Sequence, residues 1–148
     1  MPEQTAAGES GMREMTVEAT MENIETVTDF VNQQLTEHGC TEKAMVQLDV
    51  AIDEVFGNIV RHAYGTETGT ATVRVWMEEV SGIIHITFMD QGQPFNPLEK
   101  EMPDTTRLKA RERPIGGLGL FMLKRTMDNM TYDYQDGKNI LTIEKRIR

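Results

Sequence analysis

Hydrophobic and polar positions change period several times along the chain, and each change marks an element. Ala44, Leu48, Ala51, Ile52, Val55, Ile59 and Ala63 recur at helical spacing. They predict an amphipathic helix capped by Thr41 and running to about Tyr64-Gly65. Upstream, Ile24, Val27, Val31 and Leu35 predict another helix, with Glu22 and Glu25 suited to its start and Gly39 placed as a left-handed C-cap. Met15 to Ala19 alternates weakly, as a short first strand would. After the turn-rich Gly65 to Gly69 the period becomes two: Val73, Val75 and Met77, then beyond Ser81-Gly82 Ile84, Ile86 and Phe88, fall on alternate positions. That pattern predicts an antiparallel pair with one buried face, broken at Asp90-Gln91-Gly92-Gln93-Pro94-Phe95-Asn96-Pro97. A short helix through Phe121, Leu123, Lys124, Met127 and Met130 follows, then a hairpin whose Asp136-Gly137 turn joins Thr131–Tyr134 to Ile140–Ile143. Helices combined with an antiparallel sheet predict an α+β two-layer sandwich with helices on one face.

With 148 residues, 39% of them hydrophobic, the chain can build one ordinary core. Residues 1–14 are polar and aperiodic, so they read as a loose arm before a single domain over 15–148. A formal charge of −9 argues against general affinity for nucleic acid or an anionic membrane. The one cysteine, Cys40, excludes an internal disulfide framework and sits in what reads as an interhelical turn. No apolar run approaches the roughly 20 residues needed to span a bilayer, and the first residues lack a signal-peptide core, so a cytoplasmic protein is expected.

On the long helix, Glu54, Asn58 and His62 follow one another at i, i+4 steps and border the apolar face. Half-buried polar groups of this kind need partners, and a metal and a ligand could supply them. Asn58 offers a neutral oxygen of the type Mg²⁺ accepts, Glu54 meets the requirements of a general base, and His62 suits a structural or phosphate-contacting role. His38 and His85 lack ligand neighbours, which disfavours zinc. Asp90 stands where a strand breaks and could accept a hydrogen bond from an amino group, while Gly92 leaves room for a flat ring. Gly116-Gly117-Leu118-Gly119 precedes a helix, where glycines let amides approach an anion and the helix start adds a positive dipole end. Arg107, Lys109, Arg111 and Arg113, on alternate positions just upstream, could supply charge to phosphates.

Taken in order, Glu54-x-x-x-Asn58-x-x-x-His62, Asp90-x-Gly92 and Gly116-Gly117-Leu118-Gly119-Leu120 resemble the N, G1 and G2 boxes of the GHKL ATPase superfamily. The Phe95-Asn96-Pro97 after the G1 box and the Gly-Gly-Leu-Gly-Leu-Phe of the G2 box look like the anti-sigma factor serine/threonine kinase group. The resemblance covers roughly residues 15–147 and implies a Bergerat-type ATP site. Asn58 would then hold Mg²⁺, Glu54 would be the catalytic base, and Asp90 would bond the adenine amino group beside Gly92 and Phe95. Gly116, Gly117, Leu118, Gly119 and Leu120 would line the triphosphate with His62 and Arg113 nearby, under a lid of residues 98–115. The implied partners are a STAS-domain anti-anti-sigma protein phosphorylated on serine, a sigma factor, and a second copy of the chain. A module that binds nucleotide and sequesters a regulator without phosphoryl transfer is the competing reading. Pro94 replaces a second G1 glycine, and the threonine such proteins carry near the start of the last strand has no counterpart, Asn139 and Thr142 both falling out of place. Gly57, inside the helix, is expected to mark close approach of a neighbouring element.

Overall fold

The computed structural model describes residues 3–6, 11–99 and 117–148. Its elements run β1 (Glu3–Ala6), β2 (Arg13–Glu18), α1 (Asn23–Glu37), α2 (Glu42–His62), β3 (Thr70–Glu78) and β4 (Ile83–Asp90), then a 3₁₀ turn at Pro97–Glu99, α3 (Gly117–Thr126), β5 (Asn129–Gln135) and β6 (Lys138–Arg146). The strands form one antiparallel sheet in the order β1-β2-β3-β4-β6-β5. Alternation along β3 and β4 buries Val73, Val75, Met77, Ile84, Ile86 and Phe88 on one face, where they meet Leu48, Ile52, Val55 and Phe56 of α2 and Val27, Val31 and Leu35 of α1. The sandwich is therefore α+β, as its periodicity predicts. The outward positions pair across strands through hydroxyls, Thr16 with Thr72 and Thr87 with Thr142, each at 2.9 Å.

Chain reversals follow local chemistry. Thr41 caps α2 by accepting from the Ala44 amide at 3.2 Å, and Gly39 takes φ +72° between α1 and α2. Asp136 and Gly137 both adopt positive φ, the conformation a two-residue hairpin turn demands. The arm departs from expectation: residues 3–6 pair with β2 as an edge strand, and β2 itself begins at Arg13. The sequence Glu3-Gln4-Thr5-Ala6 carries no apolar alternation, so the pairing that makes it a strand could not be read from periodicity. Gly57 also departs. The nearest atoms a Cβ there would meet belong to Arg61 of the same helix, at 3.1 Å, and not to a neighbouring element of the described residues.

Candidate nucleotide-binding site

The site forms where the C-terminal half of α2 crosses the ends of β4 and β6. Asp90 has the same parity as Ile84, Ile86 and Phe88, which turns its carboxylate inward from the last residue of β4. Asn139 has the same parity as Leu141 and Ile143 and pairs directly with Asp90 across the β4–β6 ladder. Both side chains are buried. Asn139 Nδ2 donates to Asp90 Oδ1 and to the Gln93 carbonyl, each at 2.9 Å, and its Oδ1 accepts from the Phe95 amide at 3.0 Å and from the Tyr132 hydroxyl. The Gly92 amide donates to Asp90 Oδ1 at 2.9 Å. Burial pushes the Asp90 carboxyl above the usual carboxylate range, opposed by the bonds from Asn139 and Gly92, which favour its ionised form.

Beside this pair opens a cleft that both residues line. Val55, Ile59, Phe88, Phe95 and Leu141 give it apolar walls, while Asn58, Asp90 and Asn139 contribute polar groups. Phe95 is held by its amide on Asn139 and stacks on His62 with centroids 4.6 Å apart. The loop is pinned to the end of α2 by the Gln93 amide on the Ala63 carbonyl at 2.8 Å and by Gln93 Nε2 on the His62 carbonyl at 2.7 Å. Gly92 fits under α2 because it has no side chain: a Cβ would lie 2.1 Å from the Ala63 carbonyl oxygen. Its glycine thus answers first to backbone packing.

Glu54 and Asn58 sit one turn apart along α2. The Glu54 carboxylate reaches the first turn of α3, where a Cβ on Gly119 would stand 2.0 Å from Oε2. Asn58 Oδ1 accepts from the Arg61 guanidinium at 2.9 Å. No group of three or more His, Cys, Asp or Glu suited to a metal occurs among the described residues. The donor set nevertheless fits Mg²⁺ held mainly by phosphates and water, because such an ion needs only one or two protein oxygens and Asn58 offers one once exposed Arg61 turns away.

Of the residues singled out from sequence, Glu54, Asn58, His62, Asp90, Gly92 and Phe95 lie on α2, at the end of β4 and on the loop that follows it. Gly117, Leu118, Gly119 and Leu120 are the first residues of α3 and not a loop before it, and Leu120 is buried in the core. Arg113, Gly116 and most of the lid at 98–115 lie outside the described residues. Asn139 is the residue the spacing analysis missed. It is not out of place: it faces Asp90, and the signal that finds it is an asparagine sharing parity with Leu141 and Ile143.

Residues 17–145 match the Histidine kinase-like ATPase domain family. The chain belongs to that family. Members bind ATP, and the family together with its relatives supports a kinase. The serine-protein kinase RsbW of Staphylococcus aureus strain bovine RF122 / ET3-1 is 26% identical over 136 residues, covering 86% of this chain and 82% of its own. RsbW of strain JH9 is similar to the same extent. The crystal structure of the RsbU and RsbW domains of Rv1364c from Mycobacterium tuberculosis shares the fold at a TM-score of 0.66 with 20% identity. This ATPase-family chain covers 33% of that longer protein, which covers 93% of it in return. No helix among the described residues is long and apolar enough to cross a membrane.

Proposed function

We propose that the chain is a cytoplasmic, ATP-dependent protein serine kinase that transfers the γ-phosphoryl group to a serine of a STAS-domain anti-anti-sigma protein, working as a homodimer that also captures a sigma factor. The observation that carries the reading is the placement of Glu54 against Gly119 in the first turn of α3, one turn of α2 from Asn58, which lines the cleft together with the buried Asp90. Asp90 accepts from the purine amino group, and His62-Phe95 closes the wall of the cleft. Asn58 and the amides at the start of α3 face the phosphates, where a helix N-terminus favours an anion. Mg²⁺, when bound, neutralises charge on the transferring phosphoryl group. Glu54 orients the incoming serine hydroxyl and accepts its proton, the small covalent task that phosphoryl transfer leaves to a protein. The names of the Staphylococcus relatives support the serine kinase assignment.

Calorimetric titration with ATP, with and without Mg²⁺, on wild type, Asn58→Ala and Asp90→Ala tests the site. Labelled phosphate transfer to purified STAS-domain proteins of the same organism tests the reaction. Magnesium-enhanced binding that both substitutions weaken, with transfer lost in a Glu54→Ala variant that still binds ATP, is the expected result. Tight ATP and partner binding by wild type without transfer to any STAS protein would replace the kinase with a nucleotide-dependent sequestering module.

A further inference from the structure

We infer that Asn139 determines which purine the cleft accepts, by holding Asp90 as a pure hydrogen-bond acceptor at the cleft floor. The inference rests on the nucleotide reading above. It begins from the hydrogen-bond inventory of a single amide. A carboxamide has two N–H donors and an oxygen with two lone pairs, and Asn139 uses all four: Asp90 and Gln93 receive its protons, while Phe95 and Tyr132 donate to its oxygen. Rotating the amide by half a turn would set its oxygen against the Asp90 carboxylate and the Gln93 carbonyl, and its N–H groups against two donors. One orientation therefore survives, and in it Asn139 can only give a proton to Asp90.

That constraint passes to the carboxylate. Asp90 Oδ1 takes both the Asn139 and the Gly92 donors, which leaves Oδ2 for a ligand in the cleft that Asp90 lines. The two donated bonds favour its ionised form against the burial that opposes it. An ionised Oδ2 pairs with the exocyclic amino group of a 6-aminopurine. A 6-oxopurine presents an oxygen at the same place, and two acceptors face each other. Selectivity then comes from the repulsion as much as from the bond.

Asn139→Asp breaks the arrangement in a predictable way. It puts a second carboxyl about 2.9 Å from the first, and adjacent carboxyls share a proton. Asp90 then becomes able to donate, which suits a 6-oxo group. Tyr132→Phe is the milder counterpart, since it keeps the ring in the cleft wall and removes one of the two donors that orient the amide.

The experiment is calorimetric titration of the full chain with ATP and with inosine triphosphate, which carries an oxo group in place of the 6-amino group. The readout is the ratio of the two dissociation constants, with circular dichroism and Tm confirming the fold of each variant. Wild type should prefer ATP by about 100-fold or more, as sites that pair a specific N–H do. Asn139→Asp should lower that ratio by at least about 10-fold and Tyr132→Phe by about 3-fold, in the same direction, through loss of the acceptor-only state. Equal weakening of both ligands, with the ratio unchanged, would reduce Asn139 to a structural residue and overturn the inference. If Asn139→Asp fails to fold, an unchanged ratio in Tyr132→Phe overturns it equally. Wild type that binds neither nucleotide would overturn the nucleotide reading itself, an outcome distinct from ATP binding with an unmoved ratio.

Discussion

The carboxylate of Glu54 and the α-carbon of Gly119 touch so closely that a methyl group at 119 would lie 2.0 Å from Oε2. Two segments more than sixty residues apart in sequence thus share one point in space. The clash is with the end of a side chain, which can swing away at little cost to the fold. Gly119→Ala should therefore keep its Tm within a few degrees of wild type while displacing the proposed base. A kcat for transfer reduced by at least about 100-fold, with ATP affinity changed far less, is the expected kinetic signature of a lost proton acceptor. Unchanged kcat would remove Glu54 from the chemistry.

Gly57 and Gly92 separate two reasons for a glycine. At 57 the nearest atoms a Cβ would meet are those of the flexible Arg61 guanidinium, from 3.1 Å, and the residue lies in the middle of α2. Gly57→Ala should stabilise the protein by about 0.5 to 1 kcal/mol in a denaturant melt, the helix-propensity difference between the two residues. At 92 the Cβ would run into the Ala63 backbone at 2.1 Å. Neither α2 nor the loop can yield there without losing the Gln93 to Ala63 bond. Gly92→Ala should cost on the order of 3 kcal/mol or more, as overpacking against backbone does, and should weaken ATP binding in parallel.

Between α1 and α2, Asp49 and Asn32 each keep one buried side-chain oxygen without a hydrogen-bond partner. Burial, with Asp53 and Asp29 nearby, raises the Asp49 pKa, opposed by a bond from Asn32. A raised folded pKa favours the protonated fold: its stabilising contribution is complete below the unfolded pKa of about 3.9 and disappears as pH rises through the folded value. At neutral pH the ionised group is a net cost. Asp49→Asn should raise Tm at pH 7, helped by a new N–H that can reach the Asn32 oxygen, and the gain should shrink as the pH falls through the raised folded value. A lower Tm at pH 7 would show that the charge is compensated.

Asn58 and Arg61 make a further prediction. The guanidinium donates at 2.9 Å to the oxygen proposed to hold Mg²⁺, and its positive charge there opposes a cation. Arg61→Ala should leave Asn58 open and increase Mg²⁺ dependence of nucleotide binding as measured by titration at fixed ATP. Asn58→Ala should abolish that dependence whether Arg61 is present or not.

Most of the framework was legible because it depends on local period. The α2 face, the Thr41 cap, the β3 and β4 alternation and the Asp136-Gly137 turn each follow from a few neighbouring residues. The N-box residues could be placed for the same reason, since a helix fixes which side chains share a stripe. Asn139 could not be assigned, because its meaning depends on which strand lies beside β6 and in what register, a non-local fact. Strand β1 escaped notice because its sequence has no apolar alternation and its pairing with β2 is non-local. Gly57 suggested a close neighbour that is absent, while the crowding falls on Gly92 and Gly119. Glycine reports that space is short or φ unusual without saying which, and only the coordinates separate the cases.

The pairing of Asp90 with Asn139 also bears on how the chain comes into being. The two residues are separated by 49 positions, and the last strand of the hairpin carries one of them. A nascent chain that has emerged only through β5 has its α2 face, its β4 strand and its aspartate, but nothing to orient that aspartate. Such long-range closures come late in folding, since loop entropy must be overcome first. The proposed purine contact thus has its oriented acceptor only once β6 has completed the sheet beside β4.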